Sequence, residues 1–280
     1  MDRYLRITAI SIYALAVWSG FLCGCSRPSQ DIDSPGRGVT VAGSTSVQPF
    51  AELLEEHYAA KNPGAAPINV QGGGSTAGVR AAASGIADIG MSSRNLKDEE
   101  LASGLQTLPI ARDAIAVIVH PTNPATHLST EQVRGVFSGG ISSWSGLGGE
   151  EATIVVVTRE EGSGTRGAFE DLLMGGASIS AGALRQDSNG AVRVIVAGNP
   201  AAIGYISLGV ADERVKTLRL DGVKPTIESV VSGEYALARP FLFLWKTELS
   251  PAAQAFVDFV LSTEGQILLA SEGLVPVEEP

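Results

Sequence analysis

Four times in this chain a short β-branched or apolar run opens into a loop of glycines and hydroxyl residues. Val39-Thr40-Val41-Ala42 leads into Gly43-Ser44-Thr45-Ser46, and Ile68-Asn69-Val70-Gln71 into Gly72-Gly73-Gly74-Ser75-Thr76. Ala87-Asp88-Ile89-Gly90 leads into Met91-Ser92-Ser93-Arg94, and Ile154-Val155-Val156-Val157 into Thr158–Arg166. Runs of this kind bounded by Gly and Ser read as strands; after three of the loops the apolar spacing turns helical. Strands that alternate with helices fold as an α/β protein with mainly parallel sheets. Ligands of such sheets bind beyond the carboxyl ends of the strands, where these loops must lie.

Thr158–Arg166 (Thr-Arg-Glu-Glu-Gly-Ser-Gly-Thr-Arg) is the most informative of the four. Gly162 and Gly164 allow a sharp turn, and Ser163 or Thr165 can cap the helix that follows. The first N–H groups of that helix are free, and the helix dipole favours an anion beside them. Arg159 adds a planar, forked cation suited to a tetrahedral oxyanion. Taken singly, the loop is also compatible with an ordinary strand-to-helix turn carrying a surface arginine.

The 280 residues suffice for two domains. A formal net charge of −10 argues against a nucleic-acid partner. An anion site in so acidic a chain must rely on local dipoles and hydroxyls. At the N-terminus, Arg3 and Arg6 precede an apolar run from Ile7 to Leu22, too short for a comfortable membrane span. It ends in Leu22-Cys23-Gly24-Cys25, which resembles the lipobox of bacterial lipoproteins. That resemblance implies a signal peptide over 1–24 and lipid on Cys25. Both cysteines of the chain lie here, so no disulfide, cysteine ligand or cysteine nucleophile is expected in the folded body. Residues 25–38 are polar, with two prolines and two glycines, and read as a flexible tether.

Further along, Gln106–Ile110 and Asp113–His120 read as two buried strands, and Ser129-Thr130-Glu131-Gln132 as a capping box opening a helix. Asn189–Gly198 suits strand or helix, with helix favoured. Phe241–Trp245 reads as a strand, and Ser250-Pro251 as the start of a helix.

In this order and spacing, several segments resemble the phosphate-binding proteins of PstS type that serve phosphate ABC transporters. They are Gly43-Ser-Thr-Ser-Val-Gln-Pro-Phe, Gly72-Gly-Gly-Ser-Thr-Ala-Gly-Val, Ala87-Asp-Ile-Gly-Met-Ser-Ser-Arg, Arg159-Glu-Glu-Gly-Ser-Gly-Thr-Arg, Ile203-Gly-Tyr-Ile and Phe256-Val-Asp-Phe-Val-Leu-Ser-Thr-Glu-Gly-Gln. The resemblance covers residues 39–277 and implies a two-domain, hinged solute-binding protein fold of type II. One domain would comprise 39–112 with 206–280, and the other 113–205. It further implies that Ser44, Thr45, Ser46, Ser75, Ser93, Arg159, Ser163, Gly164 and Thr165 bind phosphate, with Glu161 orienting Arg159. Some members carry an aspartate in the third loop; this chain has Ser92 and Ser93 there, which implies weaker discrimination against sulfate. Implied partners are inorganic phosphate, permease subunits of an ABC transporter and a membrane reached through the lipid. A monomer exposed to the periplasm or extracellular face is expected, with no cofactor and no metal.

The rival readings are another oxyanion (sulfate or molybdate), an adhesin or sensor role, and a serine hydrolase or phosphatase. The enzyme reading is weak. Ser163 lacks the Gly-x-Ser-x-Gly spacing because position 161 is Glu, and no histidine is placed as its base. His57, His120 and His127 are scattered without ligand spacing, and Trp144 and Trp245 read as packing residues. Asp88 lies too early to serve the third loop, and Arg94 and Arg166 read as solvated rim charges.

Overall fold

The computed structural model describes residues 38–277. The signal peptide, Cys25 and nearly all of the tether lie outside the described residues. The chain begins as β1 (Val39–Gly43), α1 (Gln48–Lys61), β2 (Ile68–Gly72), α2 (Ser75–Ser84) and β3 (Ile89–Ser92). A single turn, α3 (Asp98–Leu101), leads into the long β4 (Gln106–Val119). Then come β5 (His127–Leu128), α4 (Thr130–Ser138), β6 (Val155–Arg159), α5 (Gly164–Phe169), β7 (Leu184–Gln186) and α6 (Asn189–Ala197). After β8 (Ala202–Ser207) follow the short β9 (Lys216–Thr217) and β10 (Arg219–Leu220), and α7 (Ile227–Val231). The chain closes with β11 (Ala238–Trp245), α8 (Pro251–Leu261), α9 (Thr263–Ser271) and β12 (Val275–Pro276).

The main sheet runs β2-β1-β3-β11-β4-β8-β6-β7. Its two ends are parallel, as expected: β1 with β2 and β3, and β6 with β7 and β8. Its middle is not. β11 runs antiparallel to both β3 and β4, and β4 antiparallel to β8, so the sheet is mixed. The two strands expected over 106–120 are one continuous strand, because Ala111 and Arg112 pair with Phe241 and Pro240 and the ladder resumes, after a one-residue shift at Ile110, with Pro109 opposite Leu242. Asn189–Ala197 is helical, with the Ser188 hydroxyl accepting from the Ala191 N–H as its cap. The capping box at Ser129 and Gln132 is present.

Both faces of the sheet are covered, which explains the unbroken apolar runs of its central strands. Along β4, Ile115, Val117 and Val119 face one hydrophobic core, with Phe137, Phe169 and Tyr205. The alternate residues Ala116 and Ile118 face another, with Val192 and Val196 of α6. Along β11, Phe241 and Phe243 join a core with Phe50, Leu54 and Phe256. Leu242 and Leu244 point the opposite way, to Val79 and Ala82 of α2. The segment 206–237, grouped by the resemblance with 39–112, sends Leu218, Leu220, Val230, Tyr235 and Leu237 into the core of Ile115 and Phe137.

Helix α2 approaches the sheet so closely that one of its positions must be glycine. A Cβ on Gly78 would lie 2.5 Å from the Met91 carbonyl oxygen and 2.8 Å from both the Ala42 oxygen and Gly43 Cα, all backbone atoms that cannot swing aside. Gly78→Ala should therefore push α2, and with it Ser75, off the sheet. The expected cost is about 1–3 kcal/mol, as for other overpacked interiors, read from the urea midpoint; an unchanged midpoint would show that the helix can shift freely.

Candidate functional site

The loops after β1, β2, β3 and β6 meet, and a fifth, after β7, joins them. Three hydroxyls of the first half form a cluster: Ser44 Oγ donates to Ser93 Oγ at 2.9 Å, and Ser75 Oγ lies 3.4 Å from Ser93 Oγ. Ser75 Oγ also accepts from the Ser93 backbone N–H at 3.0 Å, so the second loop fixes the third. Ser46 reaches across to the later loops, with its Oγ 2.6 Å from Thr165 Oγ1 and 2.8 Å from Asn189 Nδ2. Ser44, Ser46, Ser75, Ser93, Ser163 and Thr165 are all buried. Four helices, α1, α2, α5 and α6, begin at these loops, so their free N–H groups and positive dipole ends gather at one place. Gly164 opens α5 against the serine cluster. A Cβ there would lie 2.6 Å from Ser93 Oγ and would collide with Ser75 Oγ.

Arg159 sits at the end of β6, only 1% exposed. All three of its guanidinium nitrogens donate. Nε and Nη2 form a fork with the Glu160 carboxylate, each contact at 3.0 Å. Nη2 also reaches Thr45 Oγ1 at 2.9 Å and the Asp187 carbonyl at 3.0 Å. Nη1 reaches Asn189 Oδ1 at 3.3 Å. The carboxylate that orients Arg159 is thus Glu160, not Glu161. The Ser163 N–H donates to the Glu160 carbonyl at 3.1 Å, closing a turn in which Glu161 is a central residue; its side chain is exposed. Arg94 and Arg166 also depart from expectation. Arg94 is buried, with Nη1 and Nη2 each on the Glu100 carboxylate, at 2.7 and 2.8 Å. Arg166 pairs with Glu170 at 2.9 Å and donates to the Arg159 carbonyl. Ser163 caps α5, its Oγ accepting from the Arg166 N–H.

The sequence reading also missed Asn189, buried and bonded to both Arg159 and Ser46. A cue was available: Ser188-Asn189-Gly190 is one more hydroxyl- and glycine-containing stretch, at the N-cap and first turn of α6 just after β7. Behind the loops, Tyr205 of β8 stacks on Phe169, with ring centroids 4.0 Å apart. Its hydroxyl pairs with Thr158 Oγ1 at 2.7 Å and accepts from the Arg159 N–H at 3.4 Å, supporting the strand end that carries Arg159.

Residues 29–264 match the family model of the PBP superfamily domain. The Phosphate-binding protein PstS of Bacillus subtilis is 32% identical over 245 residues, covering 86% of this chain and 81% of that protein. The chain belongs to the PstS family. The Phosphate-binding protein PstS of Borreliella burgdorferi is 27% identical, covering 86% of this chain and 90% of that protein. Among solved structures, a Clostridium perfringens protein assigned as a phosphate ABC transporter substrate-binding protein, with bound phosphate, superposes with a TM-score of 0.84 at 41% identity. It covers 86% of this chain and all 100% of its own. The ABC-type phosphate transport receptor of Vibrio cholerae gives 0.72 at 36% identity, covering 85% and 99%. The fold of this PstS-family chain is accordingly the type II solute-binding fold.

Burial pushes the Tyr205 phenol up to about 12, even though the Thr158 hydroxyl, the Arg159 backbone and nearby guanidinium charges all pull it down. A folded value raised above the ordinary value near 10 contributes stability that is complete below pH 10 and is lost as pH climbs toward 12. At pH 11.5 the parent should have lost about 2 kcal/mol more than Tyr205→Phe, relative to pH 8. Denaturant midpoints of the two proteins at both pH values check this, and parallel profiles would rule it out.

Proposed function

We propose that this protein captures inorganic phosphate between two lobes and delivers it to the permease of an ABC transporter. The observation that carries the reading is the convergence of Arg159, Ser44, Thr45, Ser46, Ser75, Ser93, Ser163, Gly164 and Thr165 from four loops, in a chain similar to PstS proteins. In this reading Ser163 and Gly164 act mainly through backbone N–H groups at the start of α5, since the Ser163 hydroxyl is its cap. Thr45 and Asn189 hold the guanidinium, and Glu160 neutralises part of its charge. No step of bond making or breaking is required. In this reading the lobes would follow the two main hydrophobic cores, residues 39–112 with 239–274 forming one and 113–238 the other, with Val275 packed on the second. β4 and β11 cross between them and serve as the hinge. Anion contacts to both sides favour the closed form.

The neighbours of the third loop favour a second reading alongside the first. Among the described residues, no carboxylate is hydrogen-bonded to the cluster of Ser44, Ser46, Ser75, Ser93 and Thr165. Hydroxyls accept a phosphate proton but do not repel the fully deprotonated sulfate. Titration calorimetry at pH 8 should give sub-micromolar phosphate binding with weaker but measurable sulfate binding. Arg159→Ala should weaken phosphate at least a hundredfold, about 3 kcal/mol for a lost charge-assisted set, while the unfolding midpoint persists. Absence of phosphate binding by the parent would sink this reading.

The lipid on Cys25 is the proposed anchor. Among the described residues, no helix is long and apolar enough to cross a membrane. The protein should fractionate with membranes when made in a lipoprotein-processing bacterium, and Cys25→Ala should release it; membrane retention of that variant would exclude the lipid as the anchor.

A further inference from the structure

Arg239, on β11, is buried like Arg94 and Arg159, and the anion site does not use it directly. In the β4–β11 ladder it stands opposite Asp113, and the two side chains are 1% and 0% exposed. Nε and Nη2 both bond Asp113 Oδ2, at 3.0 and 2.8 Å. The other carboxylate oxygen, Oδ1, accepts from Ser207 Oγ of β8 at 2.9 Å. The guanidinium carbon lies 5.3 Å from the centroid of the Phe241 ring. Nη1 points elsewhere, to the backbone carbonyl of Ser93 at 3.1 Å.

That last contact falls where the sheet stops. β11 pairs with β3 from Leu244 opposite Gly90 to Leu242 opposite Ser92, so Ser93 is the first residue past the ladder. Its carbonyl is left without a strand partner although Ser93 is fully buried. A buried carbonyl needs a donor, and Nη1 supplies it. The same residue carries the hydroxyl that meets Ser44 and Ser75, and the N–H that Ser75 accepts. Fixing the Ser93 carbonyl therefore fixes the peptide that aims this hydroxyl and N–H.

We infer that Arg239 is a positioning residue: held by Asp113 and Ser207, it sets the third serine loop in the geometry the oxyanion site requires. It reaches that loop from the strands that cross between the two main cores, so the loop takes its position from the crossover itself. The part of the inference that concerns affinity rests on the phosphate reading above.

The test separates positioning from mere support of the fold. Replacing a buried ion pair by apolar side chains of similar size is often neutral for stability, whereas removing one partner is not. The full-length chain is compared with Arg239→Met, Asp113→Leu and the double variant by three measurements: the urea midpoint, amide hydrogen exchange at Ser93, and phosphate titration. The double variant should regain a midpoint lost in either single variant. It should still exchange the Ser93 amide at least tenfold faster than the parent and bind phosphate at least tenfold more weakly. If its Ser93 exchange and phosphate affinity both fall within twofold of the parent, Arg239 only supports the fold and the inference is wrong. Should the double variant not fold, Arg239→Lys retains the charge without the fork and decides by the same two readouts. A parent that fails to bind phosphate refutes the proposed function instead, and Ser93 exchange alone then decides the role of Arg239.

Discussion

A guanidinium taken out of water must have its N–H groups satisfied, and the burial of Arg159 imposes that demand on three separate segments. Its partners are Thr45 after β1, Glu160 after β6, the carbonyls of Gln186 at the end of β7 and of Asp187 just beyond it, and Asn189 at the start of α6. An unpaired buried charge would cost several kcal/mol even after relaxation. Those segments can therefore move apart only if water or another partner replaces the contacts. Thr45 belongs to the part of the chain packed on Phe50 and Phe256, and Arg159 to the part packed on Tyr205. The arginine is thus a tie between the loops of two cores as well as a cation beside the hydroxyl cluster.

This arrangement answers the apparent conflict between a net charge of −10 and an oxyanion ligand. Glu160 offsets part of the positive charge, so long-range attraction contributes little. What remains is a set of short-range dipoles: hydroxyls on four loops and the first N–H groups of four helices. Hydrogen bonds to a charged group are each worth roughly 1.5–3 kcal/mol, so several of them outweigh an unfavourable surface potential that salt screens within about 10 Å. Selectivity then depends on where the donors are fixed, which is why Ser93, Gly164 and the groups behind them matter as much as Arg159.

Much of this was legible in the sequence, because the site is built from local rules. A β-branched run, a glycine-hydroxyl loop and a capped helix are each written within a dozen residues, and the loops at Ser44, Ser75, Ser93 and Ser163 were found that way. What escaped is what only the third dimension decides. The antiparallel middle of the sheet depends on the return of β11 from the far end of the chain, and nothing in the apolar run Phe241–Trp245 encodes its direction. Glu160 and Glu161 differ by one residue at the end of a strand, so a single turn hydrogen bond decides which of them faces the arginine. Arg94 looked solvated because its partner Glu100 lies beyond an unremarkable turn. Arg239 and Asp113 are 126 residues apart and belong to no motif.

Hydroxyls predominate on both sides of the cluster, joined by the Asn189 amide on Ser46, and their chemistry would suit the proposed opening and closing of the site. A hydroxyl donates one bond and accepts others, so Ser46 and Thr165 satisfy each other at 2.6 Å across the two sides. Were the two sides to separate around an oxyanion, each O–H could turn to donate to it, so that neither hydroxyl would be left a buried orphan. Two facing lysines would repel in the closed form, and two facing carbonyls could never donate. Backbone N–H groups cannot rotate, so in the proposed site they would define where the anion sits, with the hydroxyls adapting around it. In that division of labour the fixed elements are α5, the Ser93 peptide and the guanidinium of Arg159, while the serines and Thr165 supply the adaptable half.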